Sequence, residues 1–434
     1  MKRTIRKAST LLWLLALTWC GVQGTPAQAE AGKYGGVVYE VYPGDNFRAI
    51  ITQMQPGDEL VFHEGEYRQS YYRSTYGYNT LLYLDRSGLP DKPLVFRGYG
   101  NGEKRPVFIY DMALANLCEV RGNYMEIRFM EFQPLMGGAR GIRIVGNGAQ
   151  PRGGILIEDS VFRGSVANSI DANSGNSIYY DIRVLKNSFL DIRYTGLYIG
   201  EQNGSSPVTN FVFAGNYLDA TKVNNSSIVG YGMELKLNVK GAIVTNNIML
   251  NTQGPGVMVY GTTSGDPADA NIIDGNIVAG SRGSPGILAG AGPTIVRNNM
   301  VLGCPGGGIR AYDYGSRGLL HNVAVSQNTA AANSQYGFRL SSTPYVPQNV
   351  TFTDNVAISK AGVAGFLGML PDFTGNEETA SDSEVEALIE RLKTEIAAEY
   401  EPHKVLPHLN KLKHGPFSLA EVKYLVEKVV EKLQ

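Results

Sequence analysis

Lys236 stands two residues after Glu234 in GMELK, and tyrosines hold matching places in the segments before and after it, Tyr198 in GLYIG and Tyr260 in GVMVY. A lysine crowded by aromatic rings and a further cation gives up its proton more easily than one in water, and can then act as a general base. A phenol beside it can protonate a leaving oxygen or serve as base itself. These parts suit cleavage of a uronic-acid chain by β-elimination. That reaction removes a poorly acidic proton next to a sugar carboxylate, once cations or hydrogen-bond donors have neutralised the carboxylate. Glu234 can hold Lys236 in a salt bridge or join Asp171 in binding a metal. The plain alternative is a Glu–Lys pair on a solvated face.

These residues belong to a series of eight segments, usually opened by glycine: GIRIV at Gly141, SIDAN at Ser169, GLYIG at Gly196, GMELK at Gly232, GVMVY at Gly256, GILAG at Gly286, GIRAY at Gly308 and GFRLS at Gly337. The second and fourth letters are apolar throughout and must face a core. Period two then turns the third and fifth letters outward onto one ribbon. The ribbon gathers Asp171, Asn173, Tyr198, Glu234, Lys236, Tyr260, Arg310 and Tyr312. Aromatic rings stack on sugar faces, carboxylates and amides bond hydroxyls, and cations pair with uronates. The expectation is a groove for an extended acidic polysaccharide. Lys236 would be the base and Tyr198 or Tyr260 the proton donor, with Asp171, Asn173, Glu234, Arg310 and Tyr312 as substrate contacts.

A second series shows what positions the ribbon. From about residue 120 the chain returns to one phrase, as in ILIEDSVF from Ile155, AIVTNNIML from Ala242 and VTFTDNVAI from Val350. One place in it holds Asp159, Asn187, Asn216, Asn247, Asn276, Asn299, Asn328 and Asn355, at intervals of 23 to 31 residues. That is the period of a solenoid with one coil per repeat. The segments are short, rich in Val and Ile and alternate with period two, so they are strands. A single coil cannot bury its apolar side, and coils must stack at ~4.8 Å into parallel sheets. An Asn at the turn tolerates left-handed dihedrals and can bond the Asn of the next coil. The fold class is all-β, a right-handed parallel β-helix over residues 30–373. Leucine-rich repeats would need a leucine spacing that is missing.

The two ends differ from the repeat. A short helix around Phe47 to Gln55 would cover the open N-terminal end of the core, where strand edges are otherwise unpaired. After residue 373 the composition turns to Glu, Lys and Leu. Ser381 with Glu384 and Ser418 with Glu421 read as capping boxes opening amphipathic helices. Residues 374–434 are therefore expected to be a helical extension that closes the end of the solenoid or docks a protein partner.

The first coil, VYPGDNFRAIITQMQPGDELVFHEGEY from Val41, resembles that of extracellular β-helix proteins acting on polysaccharides. The stretch from Gly230 to Gly261, GYGMELKLNVKGAIVTNNIMLNTQGPGVMVYG, resembles the region around the catalytic lysine of β-helical polysaccharide lyases of the pectate lyase, alginate lyase and chondroitinase B kinds. The glycine, strand, lysine, turn asparagine and following strand recur in that order, and the resemblance implies that Lys236 is the Brønsted base. Where alginate lyase and chondroitinase B types carry an Arg one coil later, this chain has Tyr260. Where pectate lyase types cluster aspartates for calcium, it has Gly254-Pro255-Gly256. Calcium would have only Asp171 and Glu234 to bind it, and a hard cation wants more oxygens.

Composition bounds the rest. The chain has 434 residues, with 43% hydrophobic and 18% charged residues and a net charge of −1. Disorder is excluded, and nothing supplies a general pull on nucleic acid. A basic start, the apolar run Leu11 to Trp19 and Ala27-Gln28-Ala29 read as a secretory leader cleaved after Ala29, which would make the protein secreted or periplasmic. Lipidation at Cys20 is disfavoured by the bulky Trp19. Cys118 and Cys304 read as buried small hydrophobes rather than a disulfide framework, and no later run is long enough to span a bilayer. Asp171 and Glu234, two coils or ~9–10 Å apart, lie at the long edge of the spacing of an inverting glycoside hydrolase. Epimerisation would begin with the same proton abstraction as elimination, and a non-catalytic matrix-binding protein needs only the groove.

Overall fold

Period-two segments separated by turns fold here into coils of three strands, each strand hydrogen-bonded to its counterpart one coil away. The computed structural model describes residues 32–68, 72–73, 79–100, 104–110, 116–135, 139–220, 230–262, 264–341, 345–368, 373–395, 410 and 415–433. All belong to one unit, 31–434. The expected leader, its cleavage point after Ala29, and Cys20 lie outside the described residues. The first sheet runs from Val38–Val41 to Phe373–Thr374, the second from Gly65–Tyr67 to Glu377–Ala380, and the third from Asn79–Leu84 to Ala364–Leu367. Pairing is parallel, apart from Tyr72–Arg73, which joins the edge of the third sheet antiparallel. This is a right-handed parallel β-helix with a helical C-terminal extension. No helix among the described residues is long and apolar enough to cross a membrane.

The eight ribbon segments stack in the register expected from their letters. Arg143, Asp171, Tyr198, Glu234, Met258, Leu288, Arg310 and Arg339 are successive partners along the third sheet. The recurrent glycine has a steric reason. A Cβ on Gly232 would sit 2.4 Å from the carbonyl oxygen of Gly256 on the next coil. Inside, Phe108, Phe132, Phe162 and Phe189 stack with centroids 5.8, 5.2 and 4.8 Å apart, close to the ~4.8 Å strand spacing. Cys118 and Cys304 are free thiols buried in this core.

The turn asparagines form a continuous buried ladder. Oδ1 of Asn247 accepts from both the backbone N–H and the side-chain amide of Asn216, each at 2.9 Å, while Nδ2 of Asn247 donates to the carbonyl of Phe213 and to Oδ1 of Asn276. The pattern runs from Asn187 through Asn355 and ends on Asn376. Two expectations change. The ladder place in the first of these coils is Ser160, not Asp159: the Ser160 N–H donates to Asn187, and its hydroxyl accepts from Met130. The left-handed residue is the one before each ladder residue, as at Asp159, Lys186, Asn246, Asn298, Gln327 and Asp354. The asparagines therefore serve as buried donors and acceptors, and their neighbours make the turn.

The ends also depart from expectation. Helix α1, Phe47–Ile51, is shorter than read, but Asn46 caps it and Phe47 and Ile51 do enter the core of the first coils. The last coil continues past 373 to Ala380, with Glu377–Ala380 paired to Val356–Ser359. Helices α2, Ser383–Thr394, and α3, Leu419–Leu433, pack along the outside of the second sheet rather than over the end of the solenoid. Val385, Ile389, Leu392, Val422, Val426 and Val429 cover Ile248, Leu250, Ile277, Met300, Leu302 and Ile358. Ser418 and Glu421 form the expected capping box, whereas α2 is capped by Asp382 instead of Ser381.

Asn247→Ala leaves buried groups of Asn216 and Phe213 without partners and is expected to lower stability by about 3 kcal/mol. Asn246→Gly, at φ 54°, is expected to be neutral or slightly stabilising. Urea denaturation of the two variants measures both.

Candidate active site

Strand Met233–Leu235 sets Glu234 outward, and Lys236 follows one place beyond the strand on the same side. Lys236 is nonetheless only 3% exposed. Its Nζ lies 2.9 Å from Oε1 of Glu234, 3.9 Å from the ring centre of Tyr260, 4.5 Å from that of Tyr198 and 5.9 Å from that of Tyr231. The amine is thus outside the solenoid core but inside a second, smaller apolar cluster on the third sheet. Leu237, Met258, Tyr260 and Leu288 form that cluster, and Tyr231 and Leu319 pack on it.

Electrostatics follow from this burial. Loss of solvent pulls the Lys236 amine below the ordinary lysine range, Glu234 opposes the shift and Arg317 adds to it. Burial raises the Glu234 carboxyl, against the pull of Lys236. The phenols of Tyr198, Tyr231 and Tyr260 are all raised, first by burial and then by neighbours including Glu234, and stay protonated. The phenols of Tyr231, Tyr260 and Tyr314 lie close enough to influence one another's ionisation. Tyr314 is 37% exposed, so the group of rings reaches from the lysine box to the surface.

Tyr314 sits on a loop held by a buried carboxylate. Asp313 accepts from the backbone N–H groups of Arg317 at 3.1 Å and Gly318 at 2.8 Å. The loop brings the Tyr314 ring edge-on to Tyr260, with centroids 5.0 Å apart, and places Leu319 on the apolar cluster.

The other candidates divide. Asp171, expected to touch substrate, has no exposed surface: its carboxylate is engaged by Arg140, with Arg143 at 3.7 Å. Burial raises its pKa against these two cations. The groove therefore presents arginines at this place rather than a carboxylate. Asn173 is partly exposed. Arg310 and Tyr312 lie three coils beyond Glu234, with the Arg310 guanidinium 4.1 Å over the Tyr312 ring and its Nε donating to Ser341 at 2.9 Å. Calcium does not fit Asp171 and Glu234. The two are separated by a full coil, each faces a cation, and no group of three metal-binding side chains occurs among the described residues.

The sequence reading missed Arg140, Tyr231, Tyr314 and Arg317. Tyr231 and Arg140 directly precede the glycines that open their segments, and Tyr314 lies two residues past Tyr312. These three fall just outside the five-letter frame, where period two no longer applies, and Arg317 lies further on, in the loop after Tyr312.

Residues 211–376 match a family model described as the right-handed beta helix region. Among solved structures, a mannuronic acid specific polysaccharide family 6 lyase from human gut microbiota aligns with TM-score 0.49 and 13% identity, over 86% of this chain and 99% of its own. An alginate lyase from Paenibacillus sp. str. FPU-7 aligns with TM-score 0.37 and 15% identity, over 79% and 99%. A lacto-N-biosidase from Eubacterium ramulus aligns with TM-score 0.45 and 12% identity, over 79% and 68%. Sequence comparison with curated proteins gives no match. The likeness is one of fold, shared by lyases and a glycosidase.

Glu234→Ala strands a buried ammonium and is expected to cost about 3–5 kcal/mol. Glu234→Leu combined with Lys236→Met removes both charges and is expected to recover most of that loss. Thermal denaturation of the single and double variants measures the difference.

Proposed function

We propose that this chain is an extracytoplasmic protein that binds an acidic polysaccharide along the outer face of the third sheet and cleaves it by β-elimination. The observation that carries the reading is the Lys236 amine, held dry among Tyr198, Tyr231 and Tyr260 on the outward side of the sheet. Burial favours its neutral form, which is the form a base needs. The leader-like N-terminus supports the location.

In this reading, Arg140 and Arg143 on one side and Arg310 with Arg339 on the other pair with uronate carboxylates. Neutral Lys236 takes the proton from the carbon beside the sugar carboxylate. The electrons of that C–H bond form the new C=C bond, and the glycosidic C–O bond breaks. Tyr198 or Tyr260 gives its proton to the departing oxygen and regains one from solvent when the product leaves. Admission of substrate requires the Asp313–Leu319 loop to move, since Lys236 is only 3% exposed. That same low exposure favours a second reading, in which Glu234 and Lys236 are a structural pair beneath a binding surface that does no chemistry. Epimerisation shares the first proton abstraction.

A panel of alginate, pectate and glycosaminoglycans separates these readings. A rise in ultraviolet absorbance from an unsaturated product identifies elimination, solvent deuterium in an uncleaved polymer identifies epimerisation, and binding with neither identifies the surface role. Lys236→Ala is expected to abolish product formation with an unchanged circular dichroism spectrum; retained turnover removes Lys236 as base.

The pH profile offers an independent check. Activity should rise with pH as Lys236 loses its proton, because the neutral amine is the active form. Glu234→Gln removes the carboxylate that holds this proton and should move the rising limb to lower pH. A limb that stays in place in a pH–rate series assigns the titration to another group.

A further inference from the structure

The first sheet carries an outer feature that the groove does not use. Tyr124, Gly154, Asp181 and Asn210 each precede aligned residues on four successive coils, and all are left-handed, with φ of 56°, 67°, 45° and 56°. That backbone is costly for a bulky side chain such as tyrosine, and an irregularity of this kind re-aims the side chain that bears it. Gly154 makes room for the result: a Cβ there would lie 2.3 Å from the Tyr124 ring. Gly153 does the same for Tyr180, whose ring a Cβ would meet at 2.7 Å. The two rings meet edge to face at 6.4 Å, and burial together with the neighbouring Tyr124 phenol pushes the Tyr180 phenol up to about 12.

Beside these rings lies a cavity of about 260 Å³. Tyr34 and Tyr124 line it together with Leu156, and Glu126, Asp181 and Arg183 supply its polar groups. The Tyr34 phenol donates to Oε1 of Glu126 at 2.5 Å, and Nε of Arg183 donates to Oδ1 of Asp181 at 2.8 Å, so the lining is held by its own bonds.

We propose that this cavity is a second glycan site, on a different sheet from the groove, that takes a single uncharged pyranose unit. Tyrosine rings offer faces to the C–H side of a sugar, while carboxylates and a guanidinium meet its hydroxyls. The volume falls just under the ~300 Å³ at which pockets for drug-sized ligands begin. The cations nearby are already paired, Arg183 with Asp181 and both Arg128 and Lys33 with Glu126, so a uronate carboxylate gains no partner here. The site does not depend on Lys236 or on any cleavage reaction.

Saturation-transfer NMR on the full chain, with methyl α-glucopyranoside, methyl β-galactopyranoside, methyl β-N-acetylglucosaminide and glucuronate as probes, tests the assignment. At least one uncharged glycoside should bind and glucuronate should not. Leu156→Trp, which fills the cavity, and Asp181→Asn, which keeps a residue tolerant of left-handed backbone, should each weaken that binding ten-fold or more. Lys236→Ala should leave it unchanged. The proposal is overturned if no uncharged glycoside binds, if both cavity variants bind as the parent does, or if glucuronate binds equally well.

Discussion

From Ser160 to Asn376, each coil turns a corner that buries backbone amides and carbonyls where water cannot reach them, and a ladder of asparagine side chains satisfies those groups. Each side chain accepts from the coil before it and donates both to a carbonyl of that earlier coil and to the next asparagine. A buried polar group without a partner costs ~1–3 kcal/mol, so the ladder holds the coils in register as well as stabilising them. Register matters because side chains alternate in direction. A slip of one residue would turn Glu234 and Lys236 into the core and Leu235 into solvent.

With register held, the outer face of the third sheet becomes a surface on which spacing along the axis is set by strand separation and spacing across it by the pleat. Lys236, Tyr198 and Tyr260 converge because consecutive coils place them there, while Tyr231 and Tyr314 arrive from the turns and complete the enclosure. The box combines two opposing demands. Rings around an ammonium attract it, whereas the dryness they impose favours its neutral form. Glu234 sets the balance, since it is the carboxylate in contact with the amine.

Much of this was legible in the residues. The third and fifth letters of the eight aligned segments do face outward, and the register pairs them as their positions imply. Periodicity states direction, however, and not depth. It put Asp171 on the outer face, but could not show that Arg140, from outside the counted frame, covers it. Lys236 also faces outward and is still nearly inaccessible, because Leu319 and the tyrosines from the turns roof it. The place of the helices was written in strands such as Ile248–Leu250 and Met300–Leu302, apolar on both faces where a solvated sheet would alternate.

Helices α2 and α3 touch outward residues from Leu190 to Ile358, a span of seven coils, and bond the sheet directly where Asn251 donates to the Lys393 carbonyl and the Phe417 amide donates to Thr329. In a solenoid each repeat otherwise feels only its neighbours, and stability accumulates as a one-dimensional sum. A splint laid along the rod couples distant repeats to one another. The stretch of coils that carries the lysine box is thereby made to melt as a block, although the elements that bind it together follow it in the chain.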